Sequence, residues 1–243
     1  MIKAVLWDLD GTLVDSAEFH WRAWRDVMAE EGRPVTHEQF VESFGKRNDL
    51  IMSGWLGADA DPERMRRLSE EKESRFRALV RAHGIEPLPG VREWVARLHA
   101  EGWVQAIATS APRANLDALI EAMQFGRVFG AAVAAEDVTH GKPDPEVFLL
   151  AAARLGAEPP RSIVVEDAPM GIEAGRRAGM RTVGVSLLHE LPAADVYVGT
   201  LPELPADTFD RLIGCTPGLK TRGSVAGRGR RRSFTSARAR RSS

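Results

Sequence analysis

The apolar run Val5-Leu6-Trp7 passes straight into Asp8-Leu9-Asp10-Gly11-Thr12, and a short apolar segment that stops at a glycine turn predicts a buried strand. The pattern then turns helical for about seventy residues. Phe19, Trp21, Trp24, Val27 and Met28 recur at spacings near three and four, and charged helical stretches follow around residues 36–44 and 62–82. Pro34 and Asp61-Pro62 mark the breaks between them. Beyond residue 86 the pattern alternates. Val91, Trp94, Val95 and Leu98 form one face of a helix that ends at Gly102, and strands are predicted over 104–109, 131–135, 162–166 and 182–185. Helices over 114–123, 145–155 and 172–178 separate them. Helices between short apolar strands imply a parallel sheet covered on both faces, with right-handed crossovers. The expected organisation is an α/β core from residues 1–15 and 87–214, an α-helical cap inserted at 16–86, and a tail at 215–243.

Composition narrows the setting. The chain has 243 residues, 44% apolar and 28% charged, which describes an ordinary globular protein able to bury a core. No apolar run is long enough to span a membrane. Asp8 comes too early for a secretory signal, and the single cysteine, Cys215, has no internal partner, so the expected location is the cytoplasm. Charge is unevenly placed. Of 33 basic and 34 acidic side chains, nine basic ones and no acid lie in residues 217–243, so the rest of the chain carries a net charge of −10. Such a body offers no footprint for nucleic acid; the tail is the one segment that does. Rich in arginine, serine and glycine, the tail is expected to be disordered, and a nonfunctional extension or a frame error explains it as well as an anion-binding arm does.

The candidate chemistry sits at predicted strand ends. Residues i and i+2 of an extended chain face the same side, so Asp8 and Asp10 can address one ligand, while Gly11 lets backbone amides approach an anion. A strand ending in an acidic, solvated turn is the plainer reading of that pair alone. Three further segments point the same way: the strand ending in the hydroxyls of Thr109 and Ser110, Lys142 before a proline-initiated helix, and the strand ending in Glu166-Asp167. In an open α/β sheet, ligands bind at that edge.

These four segments, in this order over residues 1 to about 200, resemble the haloacid dehalogenase superfamily of phosphotransferases and phosphatases. The stretches Ser16-Ala17-Glu18-Phe19-His20 and Asp167-Ala168-Pro169-Met170-Gly171-Ile172-Glu173-Ala174-Gly175 resemble its branch of β-phosphoglucomutase and small sugar-phosphate phosphatases. The resemblance implies a Rossmann-like core with a helical cap, and a magnesium ion held by the carboxylates of Asp8 and Asp167 and the backbone carbonyl of Asp10, with Glu166 assisting. It implies further that Asp8 attacks phosphorus, that Asp10 acts as general acid and then base, that Thr109 binds phosphoryl oxygens and that Lys142 offsets their charge. The carboxylate at Asp10 argues against dehalogenase and phosphonate-cleaving activities.

For the substrate, the cap segment Phe44-Gly45-Lys46-Arg47-Asn48-Asp49 resembles a substrate-contacting loop, and Lys72 stands where mutase-like caps carry a lysine. His20, Lys46, Arg47, Asn48, Lys72, Ser110 and Arg113 are therefore candidate substrate contacts. Asn48 falls where a mutase has arginine, and Ala111 and Arg113 replace the serine and asparagine that hold a second phosphate. The expected function is a magnesium-dependent phosphatase of a small phosphorylated metabolite, a sugar phosphate; the alternatives are a β-phosphoglucomutase and a nonenzymatic binding protein on the same fold.

Deleting residues 217–243 is expected to leave turnover and melting temperature unchanged, because an apolar-poor basic segment has little to pack against the core and its attraction to the acidic body is screened within about 8–10 Å. A truncated protein that melts several degrees lower, or loses most of its turnover at physiological salt, would show that the arm docks.

Overall fold

A computed structural model of the chain describes residues 2–43, 46–57 and 60–214; the expectations for Phe44, Gly45 and the tail lie outside these residues. In chain order the elements are β1 (Ala4–Trp7), α1 (Ala17–Glu30), α2 (His37–Ser43), α3 (Asn48–Leu56), α4 (Pro62–His83), α5 (Val91–Ala100), β2 (Val104–Ala108), α6 (Arg113–Met123), β3 (Ala131–Val133), α7 (Glu146–Arg154), β4 (Ser162–Glu166), α8 (Pro169–Arg177), β5 (Arg181–Val185), β6 (Val196–Val198) and α9 (Thr208–Gly214). All six strands run parallel in the order β3-β2-β1-β4-β5-β6.

The strands are nearly continuous apolar runs because helices cover both faces. Val5, Trp7, Ile107, Ile163, Val165 and Val183 point to one side, and Leu6, Ala106, Ala108 and Val164 to the other, where they meet Val147, Phe148 and Ala151 of α7. Two polar side chains inside this core pair with each other and with the backbone: Trp7 Nε1 donates to Gln105 Oε1, and Gln105 Nε2 to the Val95 carbonyl, each at 2.9 Å.

A separate apolar cluster, with Trp24, Val27, Met28, Phe40, Ile51, Met52 and Leu68, holds the inserted helices together. The two long helices belong to both clusters, since Ala23 of α1 and Phe76 and Val80 of α4 pack in the core beside β1. α1 and α4 thus act as beams from the sheet into the cap. The two chain crossings lie side by side, Val14 bridging Pro87 and the Leu88 amide donating to the Leu13 carbonyl at 2.9 Å.

The sequence pattern misses three elements. α3 begins inside the expected loop, at Asn48; β6 is a three-residue edge strand with no fully buried position; and α9 is held by tertiary contacts. Phe209 of α9 lies among Trp7, Trp94 and Trp103, with ring centroids 6.4, 5.1 and 6.0 Å away. α8 starts at Pro169, three residues before the expected start, where proline's fixed φ suits the first helical turn.

Phe209→Ala is expected to lower the free energy of unfolding in urea by about 3–5 kcal/mol, the cost of emptying a closed aromatic site. A loss below about 1 kcal/mol would show that α9 rests on the surface.

Candidate active site

Strand order places β1 between β2 and β4: the chain adds β2 and β3 on one side of β1 and then crosses back to add β4, β5 and β6 on the other, and ligands bind at the carboxyl edge of such a switch point. The register pairs Trp7 with both Ile107 and Val165, which sets Asp8 level with Glu166. The Asp8 amide continues the ladder to the Val165 carbonyl at 3.0 Å, and the Thr109 amide does the same to Val133 at 3.0 Å. Asp8, Thr109 and Glu166 are therefore fixed by sheet geometry and not by loops.

Lys142 reaches this edge from the segment before α7. Its Nζ donates to Asp8 Oδ1 and, at 2.7 Å, to Glu166 Oε1. Glu166 also accepts the Ala168 amide at 2.8 Å. Two backbone approaches keep the acids in place. Gly11 has φ +88°, and a Cβ there would lie 2.3 Å from Asp167 Oδ2. A Cβ on Gly171 would fall 1.7 Å from Glu166 Oε1, while Gly175, one turn on, lies so close to β4 and β5 that its Cβ would meet Thr182 Cγ2 at 2.9 Å and Val164 at 3.1 Å.

Carboxylate oxygens of Asp8, Glu166 and Asp167 lie within 4.8 Å of one another, all three residues buried, and one ammonium cannot balance them. Burial pushes the Asp8 carboxyl up; Lys142 opposes, Glu166 and Asp10 add to the push, and the carboxyl stays above the ordinary aspartate range. Asp167 is raised well above it by burial, Glu166 and Asp8. Lys142 moves upward in spite of burial because Asp8 and Glu166 face it. A crowded set of hard oxygen ligands short of positive charge fits a divalent cation. His140, Asp144 and Glu146 form a second, more exposed group, but there Glu146 is occupied by the Thr139 and His140 amides.

Asp10 belongs to another network. Its Oδ1 accepts from Ser16 Oγ and lies 3.3 Å from His20 Nε2. His20 Nδ1 lies 2.7 Å from Lys72 Nζ, and since an ammonium only donates, Nδ1 is the acceptor and Nε2 carries the proton that faces Asp10. Burial raises the Asp10 carboxyl, but the His20 and Ser16 bonds and the Lys72 charge outweigh it and hold the group below its ordinary range. Phe76 stacks flat on the His20 ring, with centroids 3.9 Å apart. The Thr109 hydroxyl accepts the Ala111 amide at 3.0 Å, which leaves its own proton for a ligand.

These groups floor a cavity of about 450 Å³ roofed by the cap. Asp8, Asp10, Thr109, Lys142, Glu166 and Asp167 line it, as do His20, Lys46, Arg47, Asn48, Lys72 and Ser110. Trp24, Phe40, Ile51 and Met65 add an apolar wall. Arg47 lies across the backbone of Gly141, next to Lys142, and its Nε is 3.4 Å from Asp49 Oδ1. One expectation changes here. Arg113 is outside the cavity lining, its guanidinium bound to Asp137 and to the Ala132 carbonyl. Lys72 lines the cavity but is only 2% exposed, its ammonium bonded to His20 and Glu73. Sequence reasoning passed over Glu73, which lines the cavity, and Asn115, which binds it from α6. A signal for Asn115 was present: it shares a helix face with Leu116, Leu119 and Met123, where a polar residue needs a partner.

Residues 5–185 match the haloacid dehalogenase-like hydrolase family. A fructose-1-phosphate phosphatase of Escherichia coli is 34% identical over 76% of this chain and 96% of its own length, and a phosphorylated carbohydrates phosphatase of Thermotoga maritima is 30% identical over 78% and 87%. Among solved structures, the CbbY protein of Rhodobacter sphaeroides in complex with phosphate superposes with a TM-score of 0.77 at 27% identity, covering 84% of this chain and 96% of that one. A β-phosphoglucomutase of Clostridium difficile shares the fold, with a TM-score of 0.79 at 24% identity over 88% and 98%. From the strand-end acids to the matched span, the chain belongs to the haloacid dehalogenase-like hydrolases.

Proposed function

We propose that the protein is a magnesium-dependent phosphatase that hydrolyses a small sugar phosphate through an aspartyl phosphate on Asp8. The observation that carries the reading is Asp8 itself, a buried carboxylate bonded to Lys142, with Asp10 two residues on and a sugar-sized cavity above both. The named phosphatase relatives support the same class.

Asp8, Asp167 and the Asp10 backbone carbonyl would hold the ion, with Glu166 orienting Lys142 and the neighbouring acid. When bound, the ion supplies the positive charge that the three carboxylates lack and that a phosphate dianion also needs. Asp8 attacks phosphorus, a phosphorus–oxygen bond forms to its carboxylate, and the bond to the sugar oxygen breaks. Asp10 gives its proton to that departing oxygen. Bringing a phosphate dianion beside Asp10 favours its protonated form, while the His20 and Ser16 bonds return it to the anion. The anion then takes a proton from the water that attacks the aspartyl phosphate, which releases phosphate and restores Asp8. Lys142 and the free Thr109 proton meet the charge on the phosphoryl oxygens.

Phosphatase is favoured over mutase by Arg113. A mutase must hold a second phosphate beside the strand that ends at Thr109, yet that wall is Ala111 and Pro112, and Arg113 is committed to Asp137.

The test is phosphate release from a panel of phosphorylated sugars, including fructose 1-phosphate, with a parallel arm of β-glucose 1-phosphate plus a bisphosphate activator. Release from a sugar monophosphate is expected, lost on chelation and restored by magnesium. Asp8→Asn should abolish it with the fold intact, and Asp10→Asn should slow it by about 10² to 10⁴. Near wild-type release from the Asp8 variant, or activity that survives exhaustive chelation, would overturn the mechanism.

A further inference from the structure

One buried carboxylate joins the cap to the core, and the chemistry above does not use it. Glu73, on α4, is 5% exposed. Its Oε1 accepts from Lys72 Nζ at 2.8 Å and from Asn48 Nδ2 at 2.6 Å, and its Oε2 accepts from Asn115 Nδ2. The donors come from α4 itself, from the first residue of α3 and from α6 in the core. Asn115 is wholly buried, and its Oδ1 accepts from Arg77 at 3.0 Å, so its amide cannot turn: a flip would set oxygen against carboxylate and nitrogen against guanidinium.

Packing of α4 on α6 does not by itself ask for a charge. A buried carboxylate is costly unless its lone pairs are met, and apolar side chains of like volume generally pack as well. Burial alone would raise the Glu73 carboxyl, yet the Lys72 charge and the bonds from Lys72 and the Asn48 amide hold it down at about 2, so it is anionic throughout the range in which an enzyme works. Two of its partners, Asn48 and Lys72, line the cavity, and the third stands on the helix that follows the Thr109 loop.

We infer that Glu73 is a positioning residue that fixes Asn48 and Lys72 on the sugar side of the cavity and anchors both to α6, so that recognition in the cap is held in register with the phosphoryl site. The inference rests on the sugar-phosphatase reading.

Glu73→Gln keeps the length and an acceptor while removing the charge, and Asn115→Ala leaves Glu73 in place while cutting its anchor to the core together with the Arg77 bond. Each is compared with wild type for kcat and KM on the best sugar phosphate and on p-nitrophenyl phosphate, whose aryl group offers the cap no sugar hydroxyls, with melting temperatures recorded beside them. Glu73→Gln is expected to lower the sugar-to-aryl ratio of kcat/KM by about ten-fold, mainly through KM, and Asn115→Ala to move it the same way. A purely structural role would lower both substrates in parallel with the melting temperature; an unchanged ratio in Glu73→Gln overturns the inference and leaves the phosphatase reading intact. If Glu73→Gln does not fold, the ratio in Asn115→Ala decides. A wild-type protein that releases phosphate from no sugar on the panel overturns the phosphatase reading and the inference with it.

Discussion

Lys142 is set among three buried carboxylates that it cannot neutralise alone, and much of the molecule can be understood from how they come together. Like charges crowded away from water repel and are poorly solvated, so the chain has to force them together. It does so with its stiffest part. Parallel pairing of β1 with β4 sets Asp8 beside Glu166, and the positive φ of Gly11 turns the chain away from Asp167 before a side chain could intrude. The stability given up in crowding these acids is what makes the edge hungry for a cation and for the lysine.

The cap faces a different problem, since it must recognise a sugar while staying aligned with chemistry performed on another element. α1 and α4 answer it by running unbroken from the core cluster into the cap cluster. Along them the polar groups form a connected path from Asp10 through His20 and Lys72 to Glu73 and Asn115. Because each buried member has a partner, the path is rigid where an unsatisfied one would be loose.

What the sequence made legible divides along the same line. The α/β core and the meeting of Asp8, Asp10, Thr109, Lys142, Glu166 and Asp167 in one cavity could be anticipated because each residue stands at or beside the end of a locally coded strand or helix. α9 and β6 could not, since what holds Phe209 is three tryptophans that lie far away in sequence. The same holds for side-chain commitments. Nothing near Arg113 in the sequence reveals that Asp137 will occupy it, and nothing near Lys72 says whether its ammonium faces a substrate or His20. Adjacent Lys72 and Glu73 look like a solvated pair on a charged helix until the opposing helix brings Asn115 against them.

The closeness of α8 to the sheet has a consequence for redesign. Gly171 and Gly175 remove the usual cushion of side chains, so the helix backbone seats directly on Glu166, Val164 and Thr182, and backbone yields far less than a rotamer does. The acid pair thereby takes its height from α8 and is insulated from the opposite surface of that helix, where Glu173, Arg176 and Arg177 pair in solvent. That outer surface is a place where an engineer can rewrite charge, attach a label or graft a binding face while the interior geometry of the site stays as it is.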